Sequence, residues 1–530
     1  MPAPPPVRSL GALLNARSAA GPVFDGSRLG VPVSDPVRAD GEPERGTPTL
    51  ERTPAQEISP AAAPHPTESV APTPARGVSG GYIGLYPESD FELGTGRCEA
   101  CRGPREGKWY FLDEVIATPK TGKPAIVWLG SKELEEGVTL SDDGKTATLA
   151  DGTVMPFALT PRIDSNRSYW NPDSLAHLKG RKLRIRGEFA EVDGVRVLVA
   201  RTVWPEDYRL DLSAKVTADA ATAAEVDALV ASDKGGAKKP FETKLLWAKD
   251  PGQNVVGKPV MGFMLNGAQG DDDESLGGHF SMFTGRVGPD GGMADWMFDN
   301  FYGMDSFSEK GIVASMVPMD KYMTDLNSGQ SWYRPTYMLV MVMKDGRIPL
   351  QYQEKFKDAY ADYYAHRTNY HKTYNPCTAL IVDPVRGEGW RFPETGKTPS
   401  LVARAIAGLA GLGSGDSSTS KELYEVLRQE GTHLYPRAAF GSLGGDIMTM
   451  TGTYGAEPAG REYNDFEKAI QEDLEAVYWV RLPQIPSSRD YGRDPAGGFL
   501  DYFGRVPLDR SKWQTVPTAP RPFPPPGARP

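Results

Sequence analysis

Tyr374-Asn375-Pro376-Cys377-Thr378-Ala379-Leu380 puts a cysteine where the local sequence marks the start of a helix. Asn is a strong helix N-cap and Pro favours the first helical position, so Cys377 is expected in the first turn. There the unpaired backbone N–H groups and the helix dipole stabilise an anion, which lowers a thiol pKa and yields a nucleophilic thiolate. Upstream, Gly277-Gly278-His279-Phe280 opens a strand-like run that continues to Gly285, its two glycines permitting close backbone approach. His279 is the candidate base, either taking the thiol proton or holding a thiolate–imidazolium pair. A base needs a third group to orient it. Asp295, Asp299 and Asn300 on the next strand are candidates, and strand alternation puts Asp299 and Asn300 on opposite faces, so only one of those two can serve. The competing interpretation is bland: a lone free cysteine is commonly a buried structural residue.

Other chemistry-bearing residues carry less. Cys98-Glu99-Ala100-Cys101 has the spacing of a redox or half-zinc motif, and the chain of 530 residues holds three cysteines in all. A zinc site would need two further ligands and a redox motif a βαβ setting, so the expectation is a local disulfide or two idle thiols. Asp271-Asp272-Asp273-Glu274 lacks the spacing of a calcium loop and reads as a solvated acidic turn. His366 and His371 stand five apart and do not share a helix face. The methionines Met338, Met341, Met343, Met448 and Met450 read as adaptable core filler. No metal and no cofactor is expected. No phosphate loop, Gly-x-Ser-x-Gly elbow or His-Glu-x-x-His occurs.

The elements that must position these groups fall into a multidomain α+β chain. Residues 1–78, dominated by Pro, Ala, Ser, Thr and Glu, cannot bury enough apolar surface to offset their ordering entropy and are expected to be a disordered arm, suited to tethering a partner. Residues 80–208 read as a small OB-like β-barrel. Its clearest piece is a hairpin, Leu183–Phe189 and Val195–Val199, turning at Asp193-Gly194. Residues 209–239 are expected to be a helical connector. Residues 240–505 carry the candidate chemistry, with strands expected at 260–265, 279–287, 296–302 and 337–343. A helix whose Tyr352, Phe356, Tyr360, Tyr363 and Tyr364 recur at helical spacing leads toward Cys377. A Pro-rich tail, 506–530, ends the chain.

Composition excludes some partners. A formal net charge of −10, with no basic run, argues against nucleic acid. No stretch approaches a membrane span, the longest candidate, 401–412, being glycine-rich and interrupted by Arg404. The N-terminus lacks the basic and apolar regions of a secretory signal.

His on a strand, then an Asn-aromatic strand, then a downstream Cys at a helix start resembles the Lnb-type N-terminal periplasmic domain family, a circularly permuted NlpC-type papain-like fold. The matching stretches are Gly278-His279-Phe280, Asp299-Asn300-Phe301-Tyr302-Gly303, Pro318-Met319-Asp320-Lys321-Tyr322, Arg334-Pro335-Thr336-Tyr337 and Asn375-Pro376-Cys377-Thr378. The resemblance implies Cys377 as nucleophile, His279 as base and Asn300 as orienter. It also implies amide or acyl chemistry on cell-wall peptides or lipid-linked substrates outside the cytoplasm. Family members commonly carry Asn directly before the Cys, where this chain has Pro376. The alternatives are a catalytically inactive binding or scaffolding protein of the cell envelope and a surface or virion-associated assembly protein.

Overall fold

The computed structural model describes residues 81–95, 115–121, 127–159, 170–217, 226, 229–230, 236–270, 277–301, 315–326, 330–364, 367, 375–414, 417–452, 462–487, 489–505 and 512. The N-terminal arm, Cys98, Cys101, the acidic turn at 271–274, His366, His371 and the C-terminal tail apart from Lys512 lie outside the described residues. Of the expected connector, 209–239, residues 218–225, 227–228 and 231–235 also lie outside them; 209–217 is not helical but makes β-bridges at Arg209 and Val216, and Val226 and Val230 are buried in the main core.

The chain is mixed α+β. A short ribbon, β1 (Tyr82–Ile83) and β2 (Tyr86–Pro87), precedes β3 (Phe91–Thr95), β4 (Val115–Pro119) and β5 (Val127–Gly130). Next come β6 (Glu133–Leu140), β7 (Thr146–Thr148), β8 (Val154–Leu159), helix α1 (Pro172–Leu178), β9 (Leu183–Val192) and β10 (Val195–Pro205). These five strands close into a barrel in the order β10-β8-β7-β6-β9. The pair β8/β10 is parallel and the other four pairs are antiparallel. The predicted hairpin is β9/β10, and its turn residues Asp193 and Gly194 have φ of 53° and 77°, as a two-residue primed turn requires.

The barrel is smaller than the stretch 80–208. Strands β3, β4 and β5 leave it to join the edge of a ten-stranded sheet, ordered β11-β17-β16-β12-β13-β14-β15-β5-β4-β3. Its other members are β11 (Glu242–Ala248), β12 (Pro259–Asn266), β13 (His279–Arg286), β14 (Met297–Asn300), β15 (Ser315–Pro318), β16 (Thr336–Met343) and β17 (Leu474–Leu482). Only β15 and β5 pair in parallel. The sheet edge is therefore completed by chain that precedes the barrel, a long-range pairing that local sequence patterns do not carry.

The central strands β12, β13 and β16 are buried on both faces, which is why they read as nearly continuous apolar runs. One face, with Phe263, Phe280 and Leu339, is covered by α3 (Arg347–Tyr364), α4 (Cys377–Gly387) and, after the hairpin of α5 (Ser400–Ser414) and α6 (Ser417–Arg428), by α7 (Pro436–Met450). The predicted aromatic stripe of α3 supplies Tyr352, Phe356 and Tyr360 to that core. The other face, with Met264, Phe283, Phe298 and Met338, packs on Trp204, Tyr208 and the short helix α2 (Met319–Thr324). Helix α5 buries Ala403 and Ala407 against α6 but leaves Leu401 and Leu409 exposed. Among the described residues no helix is long and apolar enough to cross a membrane.

Candidate active site

Cys377, His279 and Asn300 lie around the N-terminal end of β13: the Cys377 sulfur meets the Phe280 backbone, while His279, on the sheet face toward Tyr322, meets Asn300, with no hydrogen bond between the sulfur and the imidazole ring. Cys377 is the first residue of α4, with Pro376 as N-cap and no side-chain cap bond. The expected Asn375 cap is thus displaced by one position: Pro376 takes extended angles, φ −69° and ψ 173°, and Cys377 begins the helix. The first-turn placement of the cysteine holds, and the helix's leading N–H groups have no intrahelical acceptor. Helix α4 packs against β13 with Cys377 through Val382 and Val385 all buried.

That packing carries the sulfur to the strand. Sγ of Cys377 accepts from the backbone N–H of Phe280, the residue after His279, and from the N–H of Thr378. The Thr378 hydroxyl lies beside it without a hydrogen bond of ordinary geometry. These donors, with the charge of Arg334, favour the thiolate, but burial outweighs them: the thiol is pushed above its ordinary value. The lowered pKa expected from the helix start is therefore overturned. Only 6% of Cys377 is exposed, and desolvation of a buried sulfur anion costs more than one helix terminus returns.

His279 pairs with Asn266 across β12, and Asn266 with Thr336 across β16, so the three side chains form a polar row at the end of an otherwise apolar sheet face. Asn266 Nδ2 donates to Thr336 Oγ1 at 2.7 Å, and Tyr322 Oη donates to Asn266 Oδ1 at 3.3 Å. The ring of Tyr322 lies parallel to that of His279, centroids 6.4 Å apart. Burial drives the His279 pKa down to about 3, with the Arg334 cation acting the same way and the Asn300 side chain opposing both. His279 is thus a neutral imidazole at neutral pH.

The β13/β14 register pairs Phe283 with Phe298. Continued along the strands, it sets Asn300 opposite Ser281, on the same face as His279 and diagonal to it. The contact is loose, since Asn300 Oδ1 makes no hydrogen bond of ordinary geometry. Its backbone is pinned instead: Asn300 N–H donates to Tyr360 Oη at 2.8 Å. Asp299 turns to the helical face, where Tyr360 Oη donates to its Oδ1 at 3.3 Å and burial raises its carboxyl well above the usual range. Asp295 is elsewhere, paired with Arg184 of the barrel. Of the three orienter candidates, Asn300 alone meets the histidine ring.

Two contributors were not singled out as site residues. Tyr360 was expected only as part of a helical stripe, yet its hydroxyl ties α3 to β14. Arg334, part of an Arg-Pro-Thr-Tyr stretch in the sequence, carries a positive charge that bears on both Cys377 and His279. No local pattern marks either role, because both depend on which strand ends lie together. Among the described residues no group of three or more His, Cys, Asp and Glu is placed to hold a metal ion.

Comparisons with family models, curated proteins and solved structures return no match to this chain.

Proposed function

We propose that the chain is a thiol-dependent hydrolase or acyltransferase, with a permuted papain-like domain built on the β12–β16 sheet and α4. The observation that carries this reading is the placement of the Cys377 sulfur on the Phe280 N–H, one residue from a histidine whose ring meets Asn300. Because burial raises the thiol and lowers the imidazole, both start neutral, and His279 acts as a general base rather than one half of a standing ion pair. It takes the proton from Sγ as sulfur attacks the carbonyl carbon. The resulting oxyanion is held by the N–H groups at the start of α4. The imidazolium returns the proton to the leaving amine or alcohol, giving a thioester. Water or an acceptor nucleophile, deprotonated in turn by His279, then displaces the thiolate. The resemblance to Lnb-type domains points to cell-wall peptides or lipid-linked substrates, and to a place in the cell envelope.

The test is acylation by an activated ester, followed by intact and peptide mass spectrometry. An acyl adduct on Cys377 is expected, absent in Cys377→Ala and slowed in His279→Ala. Unchanged acylation in both variants sinks the proposal.

One observation favours a second reading, a binding or scaffolding protein with an inert site: the deep burial and raised pKa of Cys377 itself. On that reading the thiol resists the ester at all pH values compatible with the fold.

A further inference from the structure

Arg334 is the last residue but one before β16 and is 8% exposed. A guanidinium carries five N–H donors. One of them, on Nη1, reaches the Gly267 carbonyl at 3.3 Å, while the buried Nε has no acceptor among the described residues. No described Asp or Glu pairs with it. A buried cation left without a carboxylate costs several kcal/mol in general, so it persists where something else supplies the anion. The segment around residue 492 is pressed onto it: a Cβ at Gly492 would stand 2.8 Å from the Arg334 Cα. Only glycine lets the chain pass so close to the Arg334 backbone, and the residue as a whole is buried.

We infer that Arg334 is a recognition residue for a carboxylate carried by the acyl substrate of Cys377. The inference rests on the thiol chemistry proposed above and narrows its substrate class. A carboxylate fits the planar guanidinium fork with two parallel bonds. Arg334 offers one guanidinium, whereas a diphosphate would call for several cations. The substrate is therefore an acyl compound, such as a peptide, whose free carboxylate lies within reach of its reacting carbonyl.

Two alkylating reagents that differ only in charge test this. With iodoacetate or iodoacetamide, the Cys377 sulfur forms a bond to the reagent CH2 group, the C–I bond breaks and iodide leaves, while the thiol proton passes to His279 or buffer. The reduced full-length chain is treated with each reagent, and rates are read by peptide mapping, with Cys98 and Cys101 as references in the same digest. The iodoacetate-to-iodoacetamide rate ratio at Cys377 is expected to exceed the reference ratio by roughly tenfold or more, the scale of a charge-assisted hydrogen bond. Acetate should protect Cys377 from iodoacetate. Arg334→Gln should reduce the ratio to the reference value and Arg334→Lys should keep part of it, the lysine variant serving if the glutamine one does not fold. A wild-type ratio equal to the references, with Cys377 still reacting with iodoacetamide, overturns the role of Arg334 and leaves the thiol chemistry standing. A Cys377 inert to both reagents overturns both.

Discussion

The seam between barrel and sheet and the end of β13 both bury charge, but they complete it differently. At the seam, Arg184 and Arg186 of β9 share Asp320 of α2, with Nε to Oδ2 distances of 2.9 and 2.7 Å. Arg201 of β10 meets Asp325 at 2.9 Å, Lys321 joins that carboxylate at 3.4 Å, and Arg184 also pairs with Glu136 and Asp295. Every seam cation has a carboxylate fixed by the fold. At the end of β13, Arg334 has a carbonyl, His279 is held neutral, and Cys377 is an uncharged thiol. Paired buried charges lock two bodies together, while Arg334 has no carboxylate partner among the described residues.

The largest expected effect lies in the site. His279→Ala should slow acylation of Cys377 by about 100- to 10,000-fold, the range for a lost general base, while leaving thermal unfolding near wild type. A smaller loss would dissolve the contrast by making the ring structural. At the seam the order reverses. Asp320→Ala should lower unfolding free energy in urea by about 3–5 kcal/mol, because two guanidiniums lose the carboxylate they share. An unaltered midpoint would show that water or Glu136 and Asp295 compensate.

Acid should separate the two regions again. The folded pKa of His279, about 3, lies below its ordinary 6.5, so between these values the unfolded chain binds a proton that the folded chain refuses. Stability from this residue is complete above the unfolded value and is lost as pH falls toward the folded one. Lowering pH from 7 to 4.5 should cost roughly 2–3 kcal/mol through His279, a loss absent in His279→Gln. His177, lowered to about 4 by burial, adds acid sensitivity common to both proteins, so the difference between them is the reading. Identical pH dependence would mean the ring is more solvated than its burial implies. The smallest effect is expected from Asn300→Ala, about a tenfold loss in acylation rate, equivalent to about 1.4 kcal/mol. Because the Asn300 contact favours the imidazolium, its removal should also move the pH–rate profile of acylation, which a merely structural residue would not do.

Much of this molecule is legible in its sequence. The Asp-Gly hairpin, the apolar runs of β12 and β16, the aromatic stripe of α3 and the first-turn position of Cys377 all follow from local patterns of turn chemistry and periodicity. The barrel edge was not legible, since residues 91–130 look no different as barrel strands than as sheet strands; the parallel pairing of β5 with β15 decides which they are. The protonation state of the thiol is not legible in the sequence for a related reason. Helix-start chemistry is local and pushes a pKa down, whereas burial comes from α4 packing on β13 and pushes it up further.

By itself, then, the sequence determined which groups are candidates for chemistry and which strand or helix carries each, because capping, alternation and turn geometry act over a few residues. Only the tertiary structure decided that the Cys377 sulfur lies on the Phe280 N–H, that Asn300 rather than Asp295 or Asp299 meets His279, and that Arg334 is buried with no carboxylate partner among the described residues. Those outcomes depend on sheet register, on helix packing and on how much water is left at the end of one strand.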